Sequence, residues 1–142
     1  MADITHGVWI KDGKAVDAVY QNDVKVYNRN YFSVSGFFAN QYNGQYAKYY
    51  DIQLLPDTKY TVSTNWARDN GAADVFVGNK GFVANSSTNG VFPDKPITVT
   101  TDNTGVLTIA ARDYSLADGK DKIKVELGAV ETPWTLAPED VM

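Results

Sequence analysis

Turn signals break this chain about every ten residues, and no stretch between them holds apolar side chains at the i, i+3, i+4, i+7 spacing of an amphipathic helix. The punctuation is Asp12-Gly13, Gln21-Asn22-Asp23, Pro56-Asp57, the run "TDNTG" ending at Gly105, and "ADGKD" from Ala117 to Asp121. These residues accept left-handed backbone or bond their own main chain, so a chain reversal is cheap there. The stretches between them are short and rich in β-branched and aromatic residues. Short strands separated by such turns are the pattern of an all-β protein.

Strands are predicted at Phe32–Ala39, Tyr46–Leu54, Lys59–Ala67, Ala73–Val77, Ile97–Thr101, Gly105–Ala111 and Lys122–Leu127. In "KYTVSTNWA", Tyr60, Val62, Thr64 and Trp66 share one face, and Thr61, Ser63, Asn65 and Ala67 the other. In "VLTIAARDY", Leu107, Ile109 and Ala111 point to the core, while Thr108, Ala110 and Arg112 point out. Ile123, Val125 and Leu127 give the last strand its inner face, and Gly128 ends it. Strands at this spacing predict a β-sandwich of the jelly-roll or Greek-key kind over residues 31–142. The Gly-, Asn- and Ser-rich run from Gly78 to Pro96 is expected as a surface loop.

Residues 1–30 read as an N-terminal β-meander of three short strands, with the boundary at Asn28 to Asn30. So few residues cannot make a core, so the meander is expected to dock on the sandwich or on another subunit. At the other end, Pro133 lacks the donor needed to continue a ladder. Trp134 is expected to fold back as an apolar plug, and "LAPEDVM" to leave the domain.

Composition removes several function classes. With no cysteine there are no disulfides, thiolate nucleophiles or Cys-based metal sites, and a single histidine, His6, excludes a His-rich cluster. A net charge of −4 without a basic run lacks the footprint of a nucleic-acid or anionic-membrane binder. No apolar run is long enough to span a bilayer, and the N-terminus lacks the pattern of a secretory signal. We therefore expect a protein made and folded in a cytoplasm, and Met1 with the closed C-terminal end reads as a whole small protein. Aromatic residues make up 13%, and Tyr31, Tyr42, Tyr46, Tyr49 and Tyr50 crowd into one segment. Such density favours strands and supplies stacking surfaces.

Three segments follow one another in order: "LLPDTKYTVSTNWAR", "TVTTDNTGVLTIAARDY" and "DKIKVELGAVETPWTLAPED". Together they resemble carbohydrate-binding modules in tail and baseplate proteins of phages that infect lactic-acid and other Gram-positive bacteria. The ending carries most of the resemblance: Lys124, Glu126, Gly128, Thr132, Trp134 and then Leu136-Ala137-Pro138-Glu139-Asp140, with Leu136 where the pattern more often has proline. The segment "VWIKDGKAVDAVYQNDVKVYNRN" is similar to short pieces attached to Gram-positive phage structural proteins. The resemblance implies a galactose-binding-like jelly roll that binds saccharides of the host cell wall.

A saccharide site needs an aromatic face for the apolar side of a sugar ring and fixed polar groups for its hydroxyls. Trp66, Arg68 and Asp69 have that composition where a strand enters a loop, although the alternation favours Trp66 on the core face with Tyr60 and Val62. Arg112, Asp113 and Tyr114 repeat it at another strand end, although an Arg-Asp pair is often just a surface ion pair. In the tyrosine cluster, Tyr46, Lys48 and Tyr50 share a face with Tyr49 opposite, as a binding platform or a subunit contact. No cofactor is expected. Asp51, Asp57, Asp118, Asp121 and Glu126 could supply the structural calcium such sandwiches sometimes have, but without an alternating-carboxylate loop solvated turns are the default. The sequon Asn85-Ser86-Ser87 reads as chance without a secretory signal.

These features predict a non-catalytic virion protein that adheres to host cell-surface saccharide. Its N-terminal segment would contact other virion proteins, the chain would act as a homo-oligomer, and neither nucleic acid nor membrane would be a partner. The alternative is a structural or decoration protein of capsid, neck or tail with no competent sugar site. The single histidine in the meander makes Ser-His-Asp chemistry a poor fit, and no motif points to a glycosidase carboxylate pair.

Overall fold

The computed structural model describes residues 3–5, 8–44, 46–66, 71–112, 116–117, 119 and 121–141. Among the described residues strands dominate and every pairing is antiparallel. The N-terminal residues form β1 (Asp3–Thr5), β2 (Val8–Lys11) and β3 (Lys14–Ala15) in one small sheet, and β4 (Ala18–Gln21) with β5 (Val24–Asn28) in a hairpin. Five strands thus replace the three expected. Both predicted turns are present, with Asp12 and Gly13 at φ 53° and 75°, and Asn22 and Asp23 at φ 53° and 64°. Paired left-handed residues are what a two-residue hairpin turn requires.

After a helix α1 (Val34–Asn40) come β6 (Tyr42–Asn43), β7 (Lys48–Gln53), β8 (Lys59–Thr64), β9 (Val75–Asn79), β10 (Gly90–Val91), β11 (Ile97–Thr100), β12 (Val106–Ala111) and β13 (Ile123–Leu127). They make a five-stranded sheet of order β10-β9-β12-β7-β6 and a three-stranded sheet of order β11-β8-β13. One buried apolar cluster draws on both: Ile52, Val75, Val77, Leu107 and Ile109 from the larger sheet, Tyr60, Val62, Ile123 and Val125 from the smaller. Each such side chain contributes roughly 1.5–3 kcal/mol by leaving water. Phe32 and Phe37 close the cluster at the helix.

Helix α1 corrects the strand predicted over Phe32–Ala39. "VSGFFAN" holds a β-branched residue, a glycine and two phenylalanines, all weak helix formers. Its start is fixed by capping instead. Ser33 Oγ accepts the Gly36 amide at 2.9 Å, as an N-cap side chain does. A second acceptor, the Asp140 carboxylate, takes the Val34 amide at 3.1 Å and the hydroxyls of Ser33 and Ser35 at 2.8 and 2.6 Å. The C-terminal peptide therefore does not leave the domain. Ala137 and Pro138 are buried, and a 3-10 turn at Pro138–Asp140 brings the acid to the helix.

Burial pushes the Asp140 pKa up, but the hydrogen bonds from Ser35, Ser33 and two backbone amides outweigh it and hold it below the usual carboxylate value. A carboxyl depressed in the folded state stabilises above its unfolded pKa, about 3.9, and that contribution disappears as pH falls through the folded value. The difference in stability between the protein and Asp140→Asn is expected at about 1–2 kcal/mol near neutrality, because the amide has one acceptor oxygen where the carboxylate has two. Urea titrations should show it shrinking as pH falls below about 4, and a difference that grows with acid would contradict the assignment.

Other expectations need correction on burial. Thr108 and Ala110 were expected to face outward, yet both are fully buried. Thr108 donates to Asp51 at 2.8 Å, and Ala110 lies in a second cluster with Tyr49, Ala73, Phe76 and Ala84. The run expected as a surface loop supplies that cover. It contains β10, buries Ala84 and Val91, and is tied down where the Tyr49 hydroxyl accepts the Ala84 amide at 2.7 Å. On β13, Leu127 is 38% exposed although it was placed inward, while Lys124 and Glu126 are buried although the alternation placed them outward. Residues Thr132 and Pro133 of the tail and Asn28 of β5 cover that face and bond the two charges. Trp134 is not an apolar plug. It is 37% exposed, donates Nε1 to the Ile123 carbonyl at 3.2 Å, and carries Lys122 over its ring at 4.9 Å.

Candidate functional site

The site grows from the end of β8. That strand stops at Thr64, two residues short of Trp66, so the alternation that put Trp66 on the core face does not reach it. Trp66 is half-buried, and its indole Nε1 donates to Asp74 Oδ2 at 2.9 Å. Asp74 itself is fully buried, just ahead of β9. Its other oxygen meets Arg112 Nε at 3.3 Å, and the Arg112 amide donates to the Asp74 carbonyl at 3.1 Å. Arg112 follows directly on β12, which pairs with β9, so the register of the two central strands delivers Asp74 and Arg112 to the same edge. One buried carboxylate thus holds the tryptophan and the arginine together.

Arg112 lines a cavity of about 240 Å³ with Tyr46, Phe76, Ala84, Asn85 and Ser86. Tyr46 is 65% exposed and sits at φ 71°, a left-handed conformation uncommon for a tyrosine. Ser86 accepts the Ala73 amide at 3.1 Å, from the segment ahead of β9, and Asn85 accepts the Ser87 amide of its own loop at 2.9 Å, so main-chain amides hold both side chains. The cavity offers an aromatic side chain, a guanidinium whose fork has donors beyond Nε, an amide and a hydroxyl. Its volume is below the roughly 300–1,000 Å³ of drug-sized sites, so it suits a single ring.

The predicted residues divide as follows. Arg112 and Tyr46 share the cavity, and Trp66 joins Arg112 through Asp74 without lining it. Arg68, Asp69, Asp113 and Tyr114 lie outside the described residues, as do His6 and Asp118. Tyr50 is elsewhere: β7 begins at Lys48, so Tyr46 does not share a strand face with it, and Tyr50 packs on Phe32 and Phe37 at ring separations of 5.9 and 6.1 Å. Asn85 and Ser86 were not foreseen; the only signal was a loop segment of small polar residues following a β-rich stretch.

Tyr50 lines a larger groove, about 640 Å³, with Arg29, Tyr31, Tyr60, Asp17 and Glu139. Its cation is already committed within the protein. Arg29 pairs with Glu139 at 2.6 Å and Asp17 at 3.5 Å and lies over the Tyr31 ring at 5.2 Å. Of the acids considered for calcium, Glu126 is buried against Thr132, Asp121 accepts the Thr64 hydroxyl at 2.5 Å, and Asp51 accepts from Tyr42 and Thr108. Burial, and then Asp51, push the Tyr42 phenol up to about 12. Among the described residues no three metal-ligating side chains gather.

Compared with protein-family models, curated proteins and solved structures, the chain finds no match in any of the three.

Proposed function

We propose that this chain is a non-catalytic phage virion protein that binds a saccharide of the host cell wall through the Arg112 cavity, on a sandwich of the jelly-roll kind. The observation that carries the reading is the convergence of Trp66 and Arg112 on buried Asp74, with Arg112 sharing a cavity with Tyr46, Asn85 and Ser86. The five- and three-stranded sheets over a common core support the fold. The resemblance of the ending to phage wall-binding modules supports the setting. A multimeric virion would raise the avidity of a weak single-ring site.

The test is binding of the fluorescently labelled protein to Gram-positive cells and their purified wall polysaccharides. Arg112→Ala and Tyr46→Ala are each expected to weaken binding at least about tenfold, or ~1.4 kcal/mol. Tyr46 is largely exposed, so its variant should melt like the parent protein. Binding that neither change affects, or no saturable binding to any wall, would overturn the reading.

A second role rests on a different surface. The β4–β5 hairpin exposes Tyr20, Val24 and Val26 at 60%, 63% and 41%. Apolar side chains on a two-stranded ribbon favour docking onto another virion protein. That structural role is compatible with adhesion by the same chain.

A further inference from the structure

We infer that the ligand of the Arg112 cavity is an uncharged saccharide, and that Asp74 sets this preference. The inference rests on the saccharide reading above and narrows it. An arginine beside a tyrosine would ordinarily suit a phosphate or a uronate, because a guanidinium binds oxyanions in bidentate fashion. Here the guanidinium has a carboxylate partner inside the protein, at 3.3 Å, on a side chain with no exposure to solvent. Buried charges attract more strongly than the same pair in water, so the cavity is faced by a dipole rather than by a free cation.

The rest of the lining adds no positive charge among the described residues: Tyr46, Phe76, Ala84, Asn85 and Ser86 are aromatic, apolar or neutral. The chain as a whole carries −4, which repels an anionic polymer at long range. What remains is hydroxyl chemistry. The guanidinium and Asn85 amide donate to sugar oxygens, Asn85 and Ser86 accept from sugar hydroxyls, and the tyrosine takes the apolar ring face. Asp74 does not touch the sugar on this account. It is a positioning residue that orients Trp66 and Arg112 and cancels the arginine's charge.

The experiment uses wall polysaccharide from a strain that the labelled protein stains, separated by anion exchange into neutral and acidic fractions. The intact protein is expected to bind the neutral fraction, with affinity changing less than about twofold between low and high salt, because no net charge is screened. It should bind the acidic fraction at least about tenfold more weakly. Asp74→Asn keeps the acceptor toward Trp66 but releases the arginine's charge, so it should narrow or reverse that preference and make binding salt-sensitive. Tighter binding to the acidic fraction, or a steep loss with salt in the unsubstituted protein, would overturn the inference while leaving saccharide binding intact. The salt measurement needs no variant, so poor folding of Asp74→Asn would not remove the test. An Asp74→Asn protein that folds and keeps the original preference would overturn the role given to Asp74. Failure to bind either fraction would remove the saccharide reading itself.

Discussion

Replacing Glu126 with alanine is expected to destabilise the fold by about 3–5 kcal/mol, the range seen when one member of a buried charge pair is removed. Glu126 and Lys124 are both essentially unexposed, side by side on β13 with their charged atoms 4.0 Å apart. Thr132 joins them: its hydroxyl donates to Glu126 at 2.6 Å and accepts from Lys124 at 2.7 Å. Lys124 also donates to the Pro133 carbonyl at 2.7 Å, and the Asn28 amide donates to Glu126 at 3.2 Å. Burial pulls the Lys124 pKa below the usual ammonium value, against the opposing influence of Glu126 and Glu131. Without Glu126 that ammonium would keep its bonds to Thr132 and Pro133 but lose the buried carboxylate beside it. The joint replacement Lys124→Met with Glu126→Leu should lose far less than Glu126→Ala, since apolar substitutes of similar volume are often neutral at such pairs. Guanidinium unfolding of the three proteins checks this, and a double variant worse than the single one would contradict it.

The second large effect is expected at Asn30. Its amide is buried and fully used: Nδ2 donates to the carbonyls of Ile123 and Thr135, and Oδ1 accepts the amides of Phe32 and Val125, each at 2.9 Å. Asn30→Ala leaves main-chain groups of three separate segments without partners, at an expected loss of about 2–4 kcal/mol. Asn30→Asp should be at least as harmful, because a carboxylate oxygen would then face two carbonyls. Both are read from urea midpoints. A shift no larger than that of a surface asparagine such as Asn103→Ala would show that the junction is not held this way.

These two sites explain what the sequence hid. Alternation described the inner faces of β8 and β12, and of β13 as far as Val125, because those faces meet across one core, as Val62, Ile109 and Val125 do, while Leu127 at the end of β13 reaches the surface. It failed wherever the outer face is also covered. Lys124 and Glu126 look solvent-facing on a period of two, and only the returning tail makes them interior. Helix α1 was illegible for a related reason. Its second cap, Asp140, lies 107 residues from Ser33, and no local window contains that acid. Tyr46 and Tyr50 were paired by counting along a strand that begins only at Lys48. Trp66 and Arg112 were legible as strand-end residues, but Asp74, which joins them, gave no signal in sequence because its role depends on the β9–β12 register.

The most direct test uses the three tryptophans as reporters. Each indole N–H gives one resonance, and Trp9, Trp66 and Trp134 stand in different surroundings: beside Tyr27, on Asp74, and under Lys122. Wall polysaccharide fragments would be titrated into the nitrogen-labelled protein while the three resonances are followed. The account predicts a saturable shift of the Trp66 indole, passed on from Arg112 through Asp74, with Trp9 and Trp134 unmoved. Shifts at Trp9 or Trp134 with Trp66 unchanged, or no shift at any of the three, would contradict it.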